Sequence, residues 1–254
     1  MRLGNDLYPN NHGALAVIED KWEREGRHPL FALSPADRAF GLSVLYDLGV
    51  PDGAWFVSLH VRSSSYKNSE VFRDAEIEEY LDAIDLIVAC GGWVVRVGDP
   101  GAPPLPPMNC VIDCAHSLGR SKRMDIFLLA ACDLFVGGSS GPATVAAGFG
   151  VPCALLDYLP PAGLYQSRRA IYLPRLLRCR HSGRTLSFAE LYSPKYSLAA
   201  IDATFRILGV ESIANTRDEI TDLVRQLLEE LGFLPEHFLD PAISDAEGVE
   251  LVVS

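Results

Sequence analysis

The chain is short of positive charge. Lys and Arg number 22 against 33 Asp and Glu, a formal net charge of −11, so a nucleic-acid duplex or an anionic membrane surface would be repelled and nucleic acid is not an expected partner. Long hydrophobic runs are missing too, since no stretch of about 18 apolar residues offers a transmembrane segment. Met1-Arg2-Leu3-Gly4-Asn5-Asp6 leads into polar sequence rather than the apolar core of a signal peptide, which points to a cytoplasmic protein. The 6 cysteines form no C-x-x-C pair and no histidines stand at zinc-ligand spacing, so free thiols in a reducing compartment are expected, with no metal and no cofactor. Cys90, Cys132 and Cys153 lie in apolar stretches, where a thiol serves as a small core residue. Neither the Gly-Lys-Ser/Thr of a P-loop nor a G-x-G-x-x-G fingerprint occurs.

What is there is enough apolar material for a full core: 254 residues, 48% of them hydrophobic, compatible with one large or two small domains. Short apolar runs alternate with helical periodicity through the middle of the chain, the pattern of βαβ units around a mostly parallel sheet. Strands are expected from Trp55 to Val61, Trp93 to Val97, Cys110 to Ile112, Leu134 to Val136 and Val151 to Leu156. Between them, Ile77, Tyr80, Leu81, Ile84, Ile87 and Val88 recur at helical spacing, and a helix is expected from about Lys122 to Ala131. Ser34 and Pro35 cap a helix running to Leu48, and another is plausible around Ala14 to Glu25. Thr216-Arg217-Asp218-Glu219 reads as a capping box opening a final amphipathic helix. Beyond Asp157, Pro160, Pro161, Pro174 and Pro194 interrupt the pattern and basic residues gather, so irregular structure draped over the domain is expected there. The expected division is a helical segment at 1–50, a Rossmann-like domain at 51–235 and an acidic tail at 236–254.

Two loops carry the strongest chemical signal. His60-Val61-Arg62-Ser63-Ser64-Ser65 follows the first strand and Gly137-Gly138-Ser139-Ser140-Gly141-Pro142 follows the fourth. In an open parallel sheet the carboxyl ends of the strands line the ligand crevice, so both loops can face one anion. Arg62 offers a guanidinium able to hold two phosphate oxygens, or it pairs with an acid such as Asp99. His60 can bond a phosphate or a sugar hydroxyl, or only shape its loop. Ser139, Ser140 and Thr144 supply hydroxyls, and Gly141 opens a helix whose N-terminal N–H groups favour an anion. Taken alone, that loop reads equally as a turn that starts a helix. Asp113, after a short strand, can accept hydrogen bonds from a base or ribose, or act as a turn residue beside His116 and Ser117. Arg96 lies in an apolar run and needs a partner, for which Asp99 is the obvious candidate. Lys195 is read as an exposed loop lysine.

With these residues in view the chain resembles a group of bacterial glycosyltransferases associated with surface polysaccharides. The resemblance runs from about Trp22 to Leu231 and is carried by Trp55-Phe56-Val57-Ser58-Leu59-His60-Val61-Arg62, Gly91-Gly92-Trp93-Val94-Val95-Arg96-Val97-Gly98-Asp99-Pro100, the Ser139-Ser140-Gly141 loop and Leu173-Pro174-Arg175-Leu176-Leu177. More distantly, it is similar to α-1,6-fucosyltransferases and protein O-fucosyltransferases of the GT-B fold. That resemblance implies an α/β fold like the donor-binding half of a GT-B enzyme. It also implies contacts from His60 and Arg62 to a donor diphosphate, from Asp113 to the nucleotide, and from Ser139 and Ser140 to the phosphates. Ser63-Ser64-Ser65-Tyr66 stands where the fucosyltransferases carry a second Arg and an Asp, which sets a GDP-fucose donor apart. Only about 50 residues precede the first strand, too few for a second GT-B half, so a partner domain or subunit is a possible requirement.

The expected activity is metal-independent transfer of a hexosyl- or fucosyl-type sugar from a nucleotide-sugar donor to a glycan or other hydroxyl acceptor, with His60 and Arg62 catalytic. His60, Asp99 and His116 are the candidate general bases. The alternatives are a non-catalytic nucleotide-sugar-binding module and a nucleotide-sugar epimerase of GT-B-like fold.

Overall fold

A computed structural model of the chain describes residues 2–3, 6–7, 21–22, 24–27, 29, 31–62, 74–138, 140–158, 169–196, 202–235 and 238. Its centre is a six-stranded sheet built from β1 (Phe56–His60), β2 (Trp93–Arg96), β3 (Val111–Asp113), β4 (Leu134–Gly138), β5 (Cys153–Tyr158) and β6 (Ala170–Pro174). The strands lie in the order β3-β2-β1-β4-β5-β6, and every neighbouring pair is parallel. The chain therefore builds outward from β1 to the β3 edge, returns to the middle, and builds outward again from β4. This is the Rossmann strand order, with the reversal between β1 and β4.

Helices cover both faces, which is why the central strands are apolar runs rather than alternating ones. Within β1 the side chains still divide by parity. Val57 and Leu59 face a core shared with α2 (Leu81–Ala89) and α7 (Arg217–Glu230). Phe56 packs on the opposite side with α1 (Pro35–Asp47), α3 (Lys122–Ala131) and α4 (Gly141–Gly148). Ser58, fully buried on that second side, donates its hydroxyl to the Leu128 carbonyl at 2.9 Å, so this buried hydroxyl is satisfied. Trp55 stacks on Phe233 at 4.3 Å between ring centroids, seating the end of α7 over the amino edge of the sheet.

The capping signals place the helices as expected. Ser34 caps α1 with Pro35 in its first turn, and Thr216 and Glu219 form a complete capping box on α7. Cys132 and Cys153 are core thiols, and burial pushes the Cys132 thiol up to about 12. The helix expected around Ala14 to Glu25 lies largely outside the described residues, as does the acidic tail.

The region beyond Asp157 departs from expectation. Instead of irregular structure it supplies β6, then an antiparallel pair, β7 (Leu176–Cys179) with β8 (Val210–Ile213), and the helices α5 (Phe188–Leu191) and α6 (Asp202–Leu208). Leu177, Leu186, Leu191, Phe205 and Val210 close a small separate core. Pro174 misled because β6 is the edge strand, where a residue without an N–H costs no ladder bond on the open side.

Candidate functional site

The carboxyl ends of β1 and β4 frame a cavity of about 410 Å³, a volume suited to a small-molecule ligand. One wall is His60, Val61 and Arg62, a second is Val97, Gly98, Asp99 and Ala102 after β2, and a third is Ser140, Gly141 and Pro142 at the start of α4. Arg120, Asp125 and Leu129 complete it. The two loops singled out in the sequence thus meet at the point where the strand order reverses.

Glycine makes this close approach possible. A Cβ on Gly137 would lie 2.4 Å from the His60 carbonyl oxygen, so the β1–β4 pairing at the cavity floor requires a residue without a side chain. The strand itself ends at His60, so His60 and Arg62 reach the cavity from different backbone conformations rather than through strand alternation. The His60 ring packs over Gly98, where an added Cβ would stand 3.6 Å from Cδ2.

Arg62 is 12% exposed and its Nε lies 3.6 Å from the Asp74 carboxylate, itself 14% exposed. The acid beside Arg62 is therefore Asp74, not Asp99. The Ala75 N–H also donates to the Arg62 carbonyl at 3.0 Å, so the chain returns to Arg62 after the intervening segment. Any anionic ligand at this wall competes with the Asp74 carboxylate for the guanidinium.

The helix wall is more economical in donors than the sequence suggests. Pro142 has no N–H, the Ala143 N–H donates to Ser140 Oγ at 3.4 Å, and the Thr144 N–H donates to the Ser140 carbonyl at 3.3 Å. The Gly141 N–H remains as the uncommitted first-turn donor among the described residues. Thr144 donates its hydroxyl back to the Ser140 carbonyl at 3.3 Å and does not line the cavity. Ser139 lies outside the described residues, as do Ser63, Ser64, Ser65 and Tyr66.

Asp113 sits apart from this cavity, in a polar cluster beside β2. The parallel register sets Arg96 directly against Asp113. Asp113 Oδ2 accepts from Arg96 Nη1 at 3.2 Å and from the Leu105 N–H at 2.9 Å, and lies 2.9 Å from His116 Nδ1. Arg96 Nη1 also donates to the Pro103 carbonyl at 2.6 Å. The partner of the buried Arg96 is thus Asp113 and not Asp99, because a neighbouring strand brings a carboxylate closer than the next turn does. Asp99 instead accepts from the Gly101 N–H at 2.9 Å and lines the cavity. Of the three candidate bases, His60 and Asp99 reach the cavity, while His116 is held between Asp113 and the Pro100 carbonyl.

Sequence reasoning missed Arg120 and Asp125. Asp125 and Leu129 are one turn apart on α3, so the helix presents a single face to the cavity. Burial holds the Asp125 carboxyl above its ordinary range, partly offset by the positive charge of Arg120. No cluster of His, Cys, Asp or Glu side chains placed to hold a metal ion occurs among the described residues.

The chain is thus an α/β protein with a Rossmann-like sheet and a cavity at its switch point. Comparison with known proteins narrows the fold further. No protein-family model matches the sequence and no curated protein matches it, but solved structures do. The chain is similar to ADP-heptose LPS heptosyltransferase II of E. coli, with 14% identity, a TM-score of 0.50, and coverage of 79% of this chain and 53% of that one. A glycosyl transferase of family 9 from Veillonella parvula matches with 16% identity and a TM-score of 0.49, over 81% of this chain and 54% of that one. The iron-containing dodecameric glycosyltransferase TibC of enterotoxigenic E. coli matches with 15% identity and a TM-score of 0.41, over 73% and 48%. The chain spans about half the length of the solved structures it matches. Identities this low speak to the fold alone, and the fold is α/β and Rossmann-like, the class expected from the sequence.

Proposed function

We propose that the chain binds a nucleotide-activated sugar and transfers its glycosyl group to a hydroxyl acceptor, such as a glycan in surface-polysaccharide synthesis. The observation that carries this reading is the convergence of Arg62 and the Gly141 N–H on one cavity at the β1–β4 switch point. A diphosphate is the anion that fits. The guanidinium offers a bidentate fork, and the helix N-terminus adds a donor and a partial positive charge. In transfer, the donor diphosphate leaves with added negative charge, and donors already in place stabilise that charge without reorganising. His60 and Arg62 are the residues assigned to this step, and Ser139, Ser140 and Gly141 to holding the phosphates. Asp113 is assigned to the nucleotide only through its free Oδ1, the buried oxygen that accepts no hydrogen bond. Residues 51–235 form the donor-binding domain in this reading, flanked by the segments 1–50 and 236–254. The activity proposed needs no metal and takes place in the cytoplasm.

A thermal-shift panel of ADP, GDP, UDP, CMP and dTDP tests the reading. A ligand present at 100 times its dissociation constant stabilises by about 2.7 kcal/mol, a readily visible shift. Arg62→Ala should weaken binding of the responding nucleotide by about tenfold to a hundredfold, the worth of charge-assisted hydrogen bonds. Unchanged affinity in a folded variant would remove the main support. A second reading is a nucleotide-sugar-binding module without transfer of its own. Transfer by the 254-residue chain alone would rule it out.

A further inference from the structure

We propose that Asp125 reads the hydroxyl groups of the glycosyl moiety, so that the cavity distinguishes a sugar-bearing nucleotide from the bare nucleoside diphosphate. The inference rests on the donor-site reading above and adds to it the part of the ligand that no phosphate contact explains. The cavity has two chemically different walls. Arg62 and the Gly141 N–H offer positive charge and a donor, whereas Asp125, which lines the same cavity from α3 with Arg120 acting on it, offers a carboxylate. A diphosphate would be repelled by that carboxylate and belongs with Arg62 and the Gly141 N–H. What a carboxylate in such a place can hold is a group rich in O–H donors.

Asp125 is suited to this by its surroundings. It is half-buried, and among the described residues its carboxylate accepts no hydrogen bond and joins no ion pair, Arg120 acting on it only at longer range. A partly desolvated carboxylate without donors is costly, and sugar hydroxyls are the donors that would relieve it. Leu129, one turn on and 4% exposed, backs Asp125 with the buried core and limits the water that reaches it.

The test is a titration of matched pairs: UDP with UDP-glucose, GDP with GDP-mannose, and ADP with ADP-glucose. In the pair that binds, Asp125→Ala should weaken the sugar-bearing member by about tenfold to a hundredfold, the usual worth of hydrogen bonds to a charged group. The nucleoside diphosphate should bind the same variant unchanged or somewhat more tightly, because a negative charge has left the cavity. Asp125→Asn keeps an acceptor oxygen and should recover part of the loss. Equal weakening of both members would make Asp125 a structural residue and overturn the proposal, as would no change in either. If wild-type protein binds no member of any pair, the donor-site reading itself fails and this inference falls with it. Binding of a nucleoside diphosphate with no difference made by the sugar or by Asp125 overturns this inference alone.

Discussion

Arg175 and Arg62 stand at the same edge of one sheet, each beside an aspartate, yet only one of them faces open space. Arg175 and Asp157 are 4% and 3% exposed, with Nε and Oδ1 3.0 Å apart. Around them Tyr80 donates its hydroxyl to Asp157 Oδ2 at 3.1 Å and the Asn215 N–H donates to Oδ1 at 2.8 Å. The Asp157 N–H in turn donates to Asn215 Oδ1 at 2.5 Å. Asp157 adopts a left-handed φ of 51° at the register shift in β5, a conformation aspartate tolerates better than most residues. Arg62 and Asp74 lie farther apart, at 3.6 Å, and Arg62 borders the cavity. A guanidinium enclosed by protein acceptors has no site left for a ligand, whereas one at a cavity wall can exchange its counter-ion. The two pairs are also linked, since Arg175 Nη2 donates to the Asp74 carbonyl. The sealed pair fixes the backbone from which the open pair is built.

The largest effect should come from breaking the sealed pair. Asp157→Ala strands the Arg175 guanidinium, the Tyr80 hydroxyl and the Asn215 N–H in the interior, and removal of one partner of a buried pair costs about 3–5 kcal/mol. Urea denaturation should show that loss, together with a diminished nucleotide-induced shift because Asp74 is no longer held. A loss below about 1 kcal/mol would mean that the knot is not what organises this edge.

A smaller effect should come from forcing β1 and β4 apart at the open site. Gly137→Ala puts a methyl group 2.4 Å from a backbone oxygen, which cannot rotate away as a side chain would. Overpacking of this kind costs about 1–3 kcal/mol, and the nucleotide-induced stabilisation should fall with it. Gly138→Ala is the control, because its Cβ would meet the Leu156 carbonyl at an ordinary 3.5 Å. Equal melting temperatures for the two variants would contradict the steric account.

These contrasts also show what could be read before the structure was in hand. The strand ends bearing Arg62 and Ser140 were legible because central parallel strands are short apolar runs and the loops after them are polar. Partners were not legible. Arg96 meets Asp113 through inter-strand register, and Arg62 meets Asp74 through the return of the chain. Neither relation leaves a mark in local spacing. Asp125 escaped notice because an acid near the start of a helix reads as an ordinary dipole-favouring residue, and only the packing of α3 beside β1 places it on the cavity. The edge strand β6 was hidden by its own proline.

The smallest effect belongs to a third arginine–carboxylate pair, which tests whether enclosure or contact geometry decides what such pairs are worth. Arg184 grips Glu190 with Nη1 and Nη2 at 2.8 and 2.7 Å, closer contacts than either aspartate pair makes, but at the surface, with side chains 58% and 37% exposed. The fork from Arg184, with the Ser187 N–H and hydroxyl, holds the Glu190 carboxyl down from 4.5 to about 2. A carboxylate whose pKa is lowered on folding stabilises the fold above pH 4.5 and loses that contribution as pH falls toward about 2. Solvent and salt screen an exposed pair, so the shift in solution, and with it the linked stability, should be smaller than the contact geometry alone implies. An NMR titration of Glu190 should therefore give a midpoint below 4.5 that rises toward it with added salt, while Glu190→Gln should move the neutral-pH melting temperature less than any variant above. A drop rivalling that of Asp157→Ala would show that geometry outweighs enclosure, and the contrast between the sealed and open pairs would lose its physical basis.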